Sequence, residues 1–238
     1  MERGLAVQAL ISLVGRSRAT ELLGEHLTPA RRGRIDRVLA NRLSSISVGV
    51  EHPYDPQNAA AIVRTAEAVG LSNVHAISEG DSVLYGRKTA RGASTWIERH
   101  HYPTFDGFLR ALRLRGMRVV GACVEEGVTT MLADVPVDQP LCLLVGNERE
   151  GLSAAAREAS DLLFRIPMYG MVESLNVSVA TAVALFDLSE RRRRWLDQVG
   201  DLTEEERADR RVSWYAQSLD ERLVAGLVAK LQAAKRAL

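Results

Sequence analysis

The sequence predicts an α/β protein with a mostly parallel sheet, flanked by helical segments at both ends. Three observations carry this. Short apolar, β-branched runs alternate with amphipathic segments of helical length from residue 46 to about residue 195. Several of those segments open at a Ser, Thr or Asn, and two stop at a Gly, as capped helices do. The run LCLLV at residues 141–145 has no charge on either face, as a central strand covered on both sides requires.

The elements follow in order. Residues 1–27 read as an amphipathic helical stretch, with Leu5, Leu10, Leu13 and Val14 on apolar spacing. Thr28 and Pro29 are start signals for a helix over residues 30–42. Residues 46–50 alternate and are β-branched, so they form a strand. Asn58 is expected to cap a helix over residues 59–69, and Gly70 to stop it. A strand at 74–77 and a polar loop at 80–96 come next. Thr104 caps a helix over 105–115 that Gly116 ends, and strands follow at 119–124 and 141–145. Ser153 caps a short helix, residues 162–166 are the last strand, and Asn176 opens a helix running to about Trp195. In the tail, Thr203 with Glu206 matches a capping box, and Val212, Tyr215, Leu219, Leu223 and Leu227 extend an apolar stripe. The implied organisation is a basic helical extension (1–45), an α/β domain (46–196) and a C-terminal helical extension (197–238).

With 46% hydrophobic and 26% charged residues in 238, the chain is of ordinary soluble composition and long enough for a sizeable core. No apolar run approaches the ~20 residues of a membrane span. The apolar N-terminal stretch follows an acidic residue and lacks a small-residue cleavage site, so it reads as a helix rather than a signal peptide. Cys123 and Cys142 lie in apolar runs and read as reduced core residues, and no spacing suggests metal ligands. A cytoplasmic protein with neither membrane nor metal partner is the expectation. The net charge of +1 conceals basic clusters. Arg31, Arg32, Arg34, Arg37 and Arg42 form one. Arg87, Lys88, Arg91 and Arg99 surround Trp96, His100 and His101 in a second, and Arg191, Arg192, Arg193 and Arg194 form a third. Any one cluster fits a solvated face; three together favour a nucleic-acid partner. Trp96, His100 and His101 read equally as RNA contacts or as core, whereas His52 and His75 read as structural.

Function concentrates in three polar bends, each between a strand and a helix. They are VEHPYDPQNAAAIVRTAEAVG (50–70), LCLLVGNEREGLS (141–153) and IPMYGMVESLNVSVATAVALF (166–186). No GxGxxG follows the first strand and no GxxxxGK occurs, which argues against a dinucleotide fold and a P-loop. No GxSxG marks a hydrolase elbow. Asn58, Ser153 and Asn176 each fit a plain helix cap as well as a functional role.

Taken together, the bends resemble the motifs of the SPOUT superfamily of RNA methyltransferases, in its SpoU/TrmH branch. The first motif is Asn58 with Arg64, the second Gly146, Glu148 and Gly151, the third IPM, GMV and SLNVS with Ser174 and Asn176. The resemblance spans residues 31–194. It implies a trefoil knot in the C-terminal part of the α/β domain, and a homodimer whose site is completed by the second subunit. It also implies S-adenosylmethionine as cofactor, held around Ala122, Leu144, Val145, Gly146, Ile166, Met168, Leu175 and Asn176. The catalytic set it implies is Arg64, Asn58, Glu148, Ser174 and Asn176. A guanidinium keeps its proton, with a pKa above ~12, so the minimum role for Arg64 is anchoring an RNA phosphate and orienting a ribose hydroxyl. Residues 30–43 resemble the basic helix of the tRNA-modifying members, which methylate the D-loop guanosine. Arg31, Arg32, Arg34, Arg37, Arg87, Lys88, Arg91 and Arg192 are the expected RNA contacts. The same chemistry on rRNA, or an RNA-binding paralogue without catalysis, are the other readings.

Overall fold

A computed structural model describes residues 3–80, 92–124 and 127–236. The chain divides into two compact units, one of Leu43–Val199 and one of Met1–Arg42 with Gly200–Leu238. The terminal segments, read from sequence as separate extensions, cluster as a single helical unit. It contains α1 (Arg3–Val14), α2 (Arg16–Gly24), α3 (Pro29–Ala40), α8 (Glu204–Gln217) and α9 (Glu221–Arg236). The N-terminal helical stretch breaks at Gly15, whose φ of 80° suits glycine. Thr28 caps α3 as expected, and Thr203 with Glu206 closes the capping box of α8. Ion pairs from Arg16 to Asp209 (2.8 Å) and from Arg211 to Asp36 (2.7 Å) link the helices. Arg42 is 1% exposed, with its guanidinium 5.1 Å from the Trp214 ring centroid, so it leaves the basic face.

The second unit holds β1 (Ile46–Glu51), α4 (Pro56–Ala68), β2 (Asn73–Ile77), β3 (Glu98–Tyr102), α5 (Phe105–Leu114) and β4 (Arg118–Ala122). It continues with β5 (Leu141–Val145), α6 (Ala154–Ala159), β6 (Leu162–Phe164) and α7 (Val177–Leu196). The strands form one parallel sheet in the order β3-β2-β1-β5-β4-β6. Strand β5 is interior, as its uncharged run predicted. Its side chains alternate. Leu141, Leu143 and Val145 pack with Ile62 and Val63 of α4 and with Leu185 and Leu188 of α7. Cys142 and Leu144 point the other way, into a cluster with Phe108 and Leu112 of α5 and Ala156 of α6. A Cβ on Gly49 would stand 2.9 Å from Phe108 Cζ, so α5 sits directly on β1.

Two readings need correction. Asp55, not Asn58, caps α4: its side chain accepts from Gln57 N at 2.8 Å, and Pro56 takes the first helical position. Strand β3 was not foreseen, because ERHHY is too polar to read as a strand. It pairs with β2 at the sheet edge, where His100 Nε2 meets Asn73 Oδ1 (2.9 Å) and His101 Nε2 meets Ser78 O (2.9 Å). Most of the loop read at 80–96, residues 81–91, lies outside the described residues.

Candidate active site

On either side of the β1/β5 boundary the strand order runs outward in opposite directions, to β2 and β3 or to β4 and β6. Ligand crevices of open parallel sheets form at the carboxyl ends of strands near such a switch point. A cavity of about 530 Å³ lies there, at the ends of β4, β5 and β6. Its size is in the range of small-molecule sites.

Its polar wall is one hydrogen-bonded chain through all three bends. Asn58, 8% exposed in the first turn of α4, donates Nδ2 to Glu148 Oε1 at 3.1 Å. Asn176 donates Nδ2 to Asn58 Oδ1 at 3.1 Å. Asn176 Oδ1 caps α7, accepting from Ser178 N (2.9 Å), Val179 N (3.3 Å) and Ser178 Oγ (2.6 Å). The polarity is self-consistent. An ionised carboxylate only accepts, so Asn58 must turn its NH₂ to Glu148 and its oxygen to Asn176. Asn176 must then donate to Asn58, which leaves its oxygen for the helix N–H groups. Glu148 Oε1 also accepts from Asp55 N at 3.3 Å, while Oε2 is buried with no hydrogen-bond partner among the described residues.

The second bend is fixed by its own backbone. Asn147 and Gly151 exchange hydrogen bonds of 3.1 and 2.9 Å, and a Cβ on Gly146 would lie 2.0 Å from Gly151 C, so only glycine fits. From β1, the Glu51 carboxylate (2% exposed) accepts from Ser153 N at 2.8 Å and Ser153 Oγ at 2.6 Å. Ser153 Oγ in turn accepts from Ala156 N at 3.1 Å, capping α6. Glu51, Asp55 and Asn147 escaped the sequence reading. A lone acid ending an apolar strand and the Asp–Pro step were the available signals.

Of the expected cofactor residues, Ala122, Val145, Gly146, Ile166, Met168, Leu175 and Asn176 line the cavity, and so do Asn58, Glu148 and Ser174. Leu144 does not. It belongs to the alternate set of β5 and is fully buried against Phe108 and Gly49. Cys123, read as core, is half-buried in the cavity wall, whereas Cys142 is core, its thiol pushed up to about 12 by burial. Arg64 is exposed on α4 and absent from the cavity lining. Six residues after Asn58, it lies about 240° around the helix from it, at about 100° per residue.

The expected RNA contacts divide. Arg32, Arg34 and Arg37 are exposed on α3; Arg31 is half-buried and bonds Ser218 Oγ at 3.0 Å. Arg87, Lys88 and Arg91 lie outside the described residues. Arg192 is a correction. It is 5% exposed, donates to Ser45 Oγ (3.0 Å) and Val137 O (2.8 Å), and stacks 4.7 Å from the Trp195 ring centroid. Among the described residues, no helix is long and apolar enough to cross a membrane.

Residues 45–186 match the SpoU rRNA Methylase family. The chain belongs to the SpoU methylase family. Among its SpoU relatives are the tRNA (guanosine(18)-2'-O)-methyltransferases of Thermus thermophilus and Escherichia coli. The first is 36% identical over 69% of this chain and 84% of its own length. The second is 32% identical over 70% and 72%. The 23S rRNA (guanosine-2'-O-)-methyltransferase RlmB of Shewanella oneidensis is 31% identical over 76% and 71%. Among SpoU structures, the A. aeolicus TrmH/SpoU tRNA modifying enzyme superposes with a TM-score of 0.69 at 29% identity. That match covers 79% of this chain and 96% of the other. AviRb from Streptomyces viridochromogenes, solved in complex with AdoMet, gives 0.56 at 27% identity, covering 65% and 62%.

Proposed function

We propose that this SpoU protein methylates a ribose 2′-hydroxyl of RNA with S-adenosylmethionine, its target being the D-loop guanosine of tRNA. The observation that carries the reading is the Glu148–Asn58–Asn176 chain, which draws the three bends around one strand-end cavity. The residues present fit the cofactor. Val145, Ile166, Met168 and Leu175 give apolar walls, the strand ends give backbone groups, and buried Glu148 Oε2 offers an unpaired acceptor to a cationic ligand. Bound there, S-adenosylmethionine supplies an electrophilic methyl group.

The protein's part is placement, since holding reactants in near-attack geometry removes much of a barrier. Asn58 and Asn176 lock the first and third bends together, Glu148 joins the second to them, and Ser174 shapes the wall. Arg64 would hold an RNA phosphate and orient the hydroxyl, from a second copy of the chain. Arg64 does not line its own cavity, which includes Asn58 on another side of α4. A homodimer is supported further by an exposed apolar stripe on α7, Val179 (47%), Val183 (42%) and Phe186 (63%), at helical spacing beside the cavity. The reading also carries the trefoil knot. The chain leaving β6 has Cys123 N donating to Phe164 O on one flank (2.9 Å). On the other flank, Leu132 N donates to Arg165 O (3.0 Å), and Arg165 N to Thr130 O (3.0 Å). Both flanks belong to the one β4–β5 connection, which supports a threaded course.

tRNA is favoured by the Gm18 relatives and by exposed Arg32, Arg34 and Arg37 on α3. rRNA is the second reading, on the RlmB likeness. We place the protein in the cytoplasm, with its RNA. Incubation with labelled S-adenosylmethionine and separate tRNA and rRNA transcripts, followed by mapping of 2′-O-methyl sites, tests this. Label at a D-loop guanosine is expected. Label in rRNA alone would shift the target, and label in neither would refute the activity.

A further inference from the structure

The cavity rim carries one pair that the proposed chemistry leaves idle. Tyr54, in the first bend, is 59% exposed, and the Arg149 guanidinium carbon stands 4.5 Å from its ring centroid. Arg149 is itself exposed, and no carboxylate pairs with it among the described residues. The pair is anchored from beneath. Arg149 N donates to Asn147 Oδ1 at 2.7 Å, and Asn147 Nδ2 approaches His52 O at 3.5 Å. At the residues next to the pair, Asp55 after Tyr54 and Glu148 before Arg149, Asp55 N donates to Glu148 Oε1 at 3.3 Å. The two bends are thereby tied at the base of the stack, and with the guanidinium over its ring Tyr54 still remains largely exposed.

An open aromatic face takes a nucleobase of any identity. A guanidinium with no carboxylate partner takes a phosphate, and stacking on the ring pre-orients its donors. A ribose presented to the cavity brings both groups, its own or its neighbour's base and the flanking phosphate. We propose that Tyr54 and Arg149 form a nucleotide platform at the mouth of the site. Tyr54 stacks a base of the RNA substrate beside the reacting ribose, and Arg149 binds an adjoining phosphate. The inference deepens the methyltransferase reading and rests on it.

The test uses the full-length protein and the transcript that accepts label from wild type. RNA affinity is followed by fluorescence anisotropy across a salt series, and S-adenosylmethionine affinity by titration calorimetry. Tyr54→Ala is expected to weaken RNA binding about tenfold, and Tyr54→Phe to restore it. Arg149→Ala is expected to lower the slope of log Kd against log salt by about 0.7–0.9, the share of one phosphate. A purely structural role for the pair would leave that slope unchanged. Wild-type RNA affinity in Tyr54→Ala, or an unaltered slope in Arg149→Ala, overturns the platform while leaving the methyltransferase reading intact. Failure of wild type to methylate either RNA overturns both. Loss of cofactor binding in both Tyr54 variants and in Arg149→Ala overturns the platform in favour of a fold defect.

Discussion

Replacing Asn58 with alanine should do more damage than its size suggests, because it cuts the polar chain in the middle. Glu148 Oε1 would retain only Asp55 N, at 3.3 Å, while Oε2 already has no partner. Asn176 Nδ2 would lose its acceptor. A hydrogen bond to a charged group contributes about 1.5–3 kcal/mol net and a neutral one about 0.5–1.5. The sum is an upper bound, since Asn176 is exposed enough for water to take back part of its share. A cost of about 2–3 kcal/mol in urea unfolding is therefore expected. The decisive measurement is a double-mutant cycle with Glu148→Ala. Each single variant removes the same bond, so the double variant should cost less than the sum of the two by about 1–2 kcal/mol. Asn58→Asp sharpens the result, since it sets one carboxylate against another across the 3.1 Å contact and should be worse than alanine. Additive single costs, or an aspartate tolerated as well as asparagine, would refute the chain and its polarity.

His75 is fully buried against His100, Tyr102 and Phe108, and burial first, then His100 and Arg115, pushes its pKa down to about 3. The unfolded chain takes up that proton near pH 6.5, so the contribution is intact above 6.5 and is lost as pH falls toward 3. The drop is about 2 kcal/mol at pH 5, which urea midpoints at pH 7.5 and 5.0 should show in wild type and not in His75→Phe. If Arg64 serves its partner's cavity, Arg64→Ala and Asn176→Ala chains, each inactive alone, should recover about a quarter of wild-type turnover when co-expressed. Half of random pairs are mixed and each mixed pair keeps one complete site, so no recovery in purified mixed dimers would sink the shared site.

What the sequence disclosed was local. Thr104, Ser153, Asn176 and Thr203 cap helices where their side chains predicted, because capping is settled by residues two or three positions apart. The uncharged run at 141–145 told its own place in the sheet. Asn58 misled for an instructive reason. It has the chemistry of a cap, but Asp55 and Pro56 already supply the helix start, which frees Asn58 to bridge to residues 90 and 118 positions away. No local rule encodes such a bridge. The family motifs named Asn58, Glu148 and Asn176, which the structure brings into one chain, without giving the direction of each hydrogen bond. Leu144 shows the same limit, since strand alternation turns its side chain away from the cavity that its neighbours Val145 and Gly146 line.

The arginines show why charge along a sequence is a poor map of a binding face. The run at 191–194 reads as a cationic surface, yet three of its guanidiniums turn inward. Arg191 donates to Val135 O (2.6 Å) and Leu132 O (2.8 Å), Arg192 to Val137 O (2.8 Å), and Arg193 to Val69 O (2.7 Å) and Val199 O (2.8 Å). These carbonyls lie outside the strands, in connections or past helix ends, and Leu132 O alone of them also takes a turn bond, from Val135 N at 3.2 Å. A chain that carries a long connection across its own core leaves many such acceptors, each costly if buried unpaired. Arginine, with five donors in a fixed fork on a long stem, serves several at once. The carbonyls of the β4–β5 connection, residues 132, 135 and 137, take most of these bonds, and that connection is the one flanking the chain as it leaves β6. The cluster that looked like an RNA surface is thus the means by which α7 holds the segment that shapes the cavity. An arginine is free to meet a ligand only where, as with exposed Arg32, Arg34 and Arg37 on α3, the guanidinium has not been spent on the protein's own backbone.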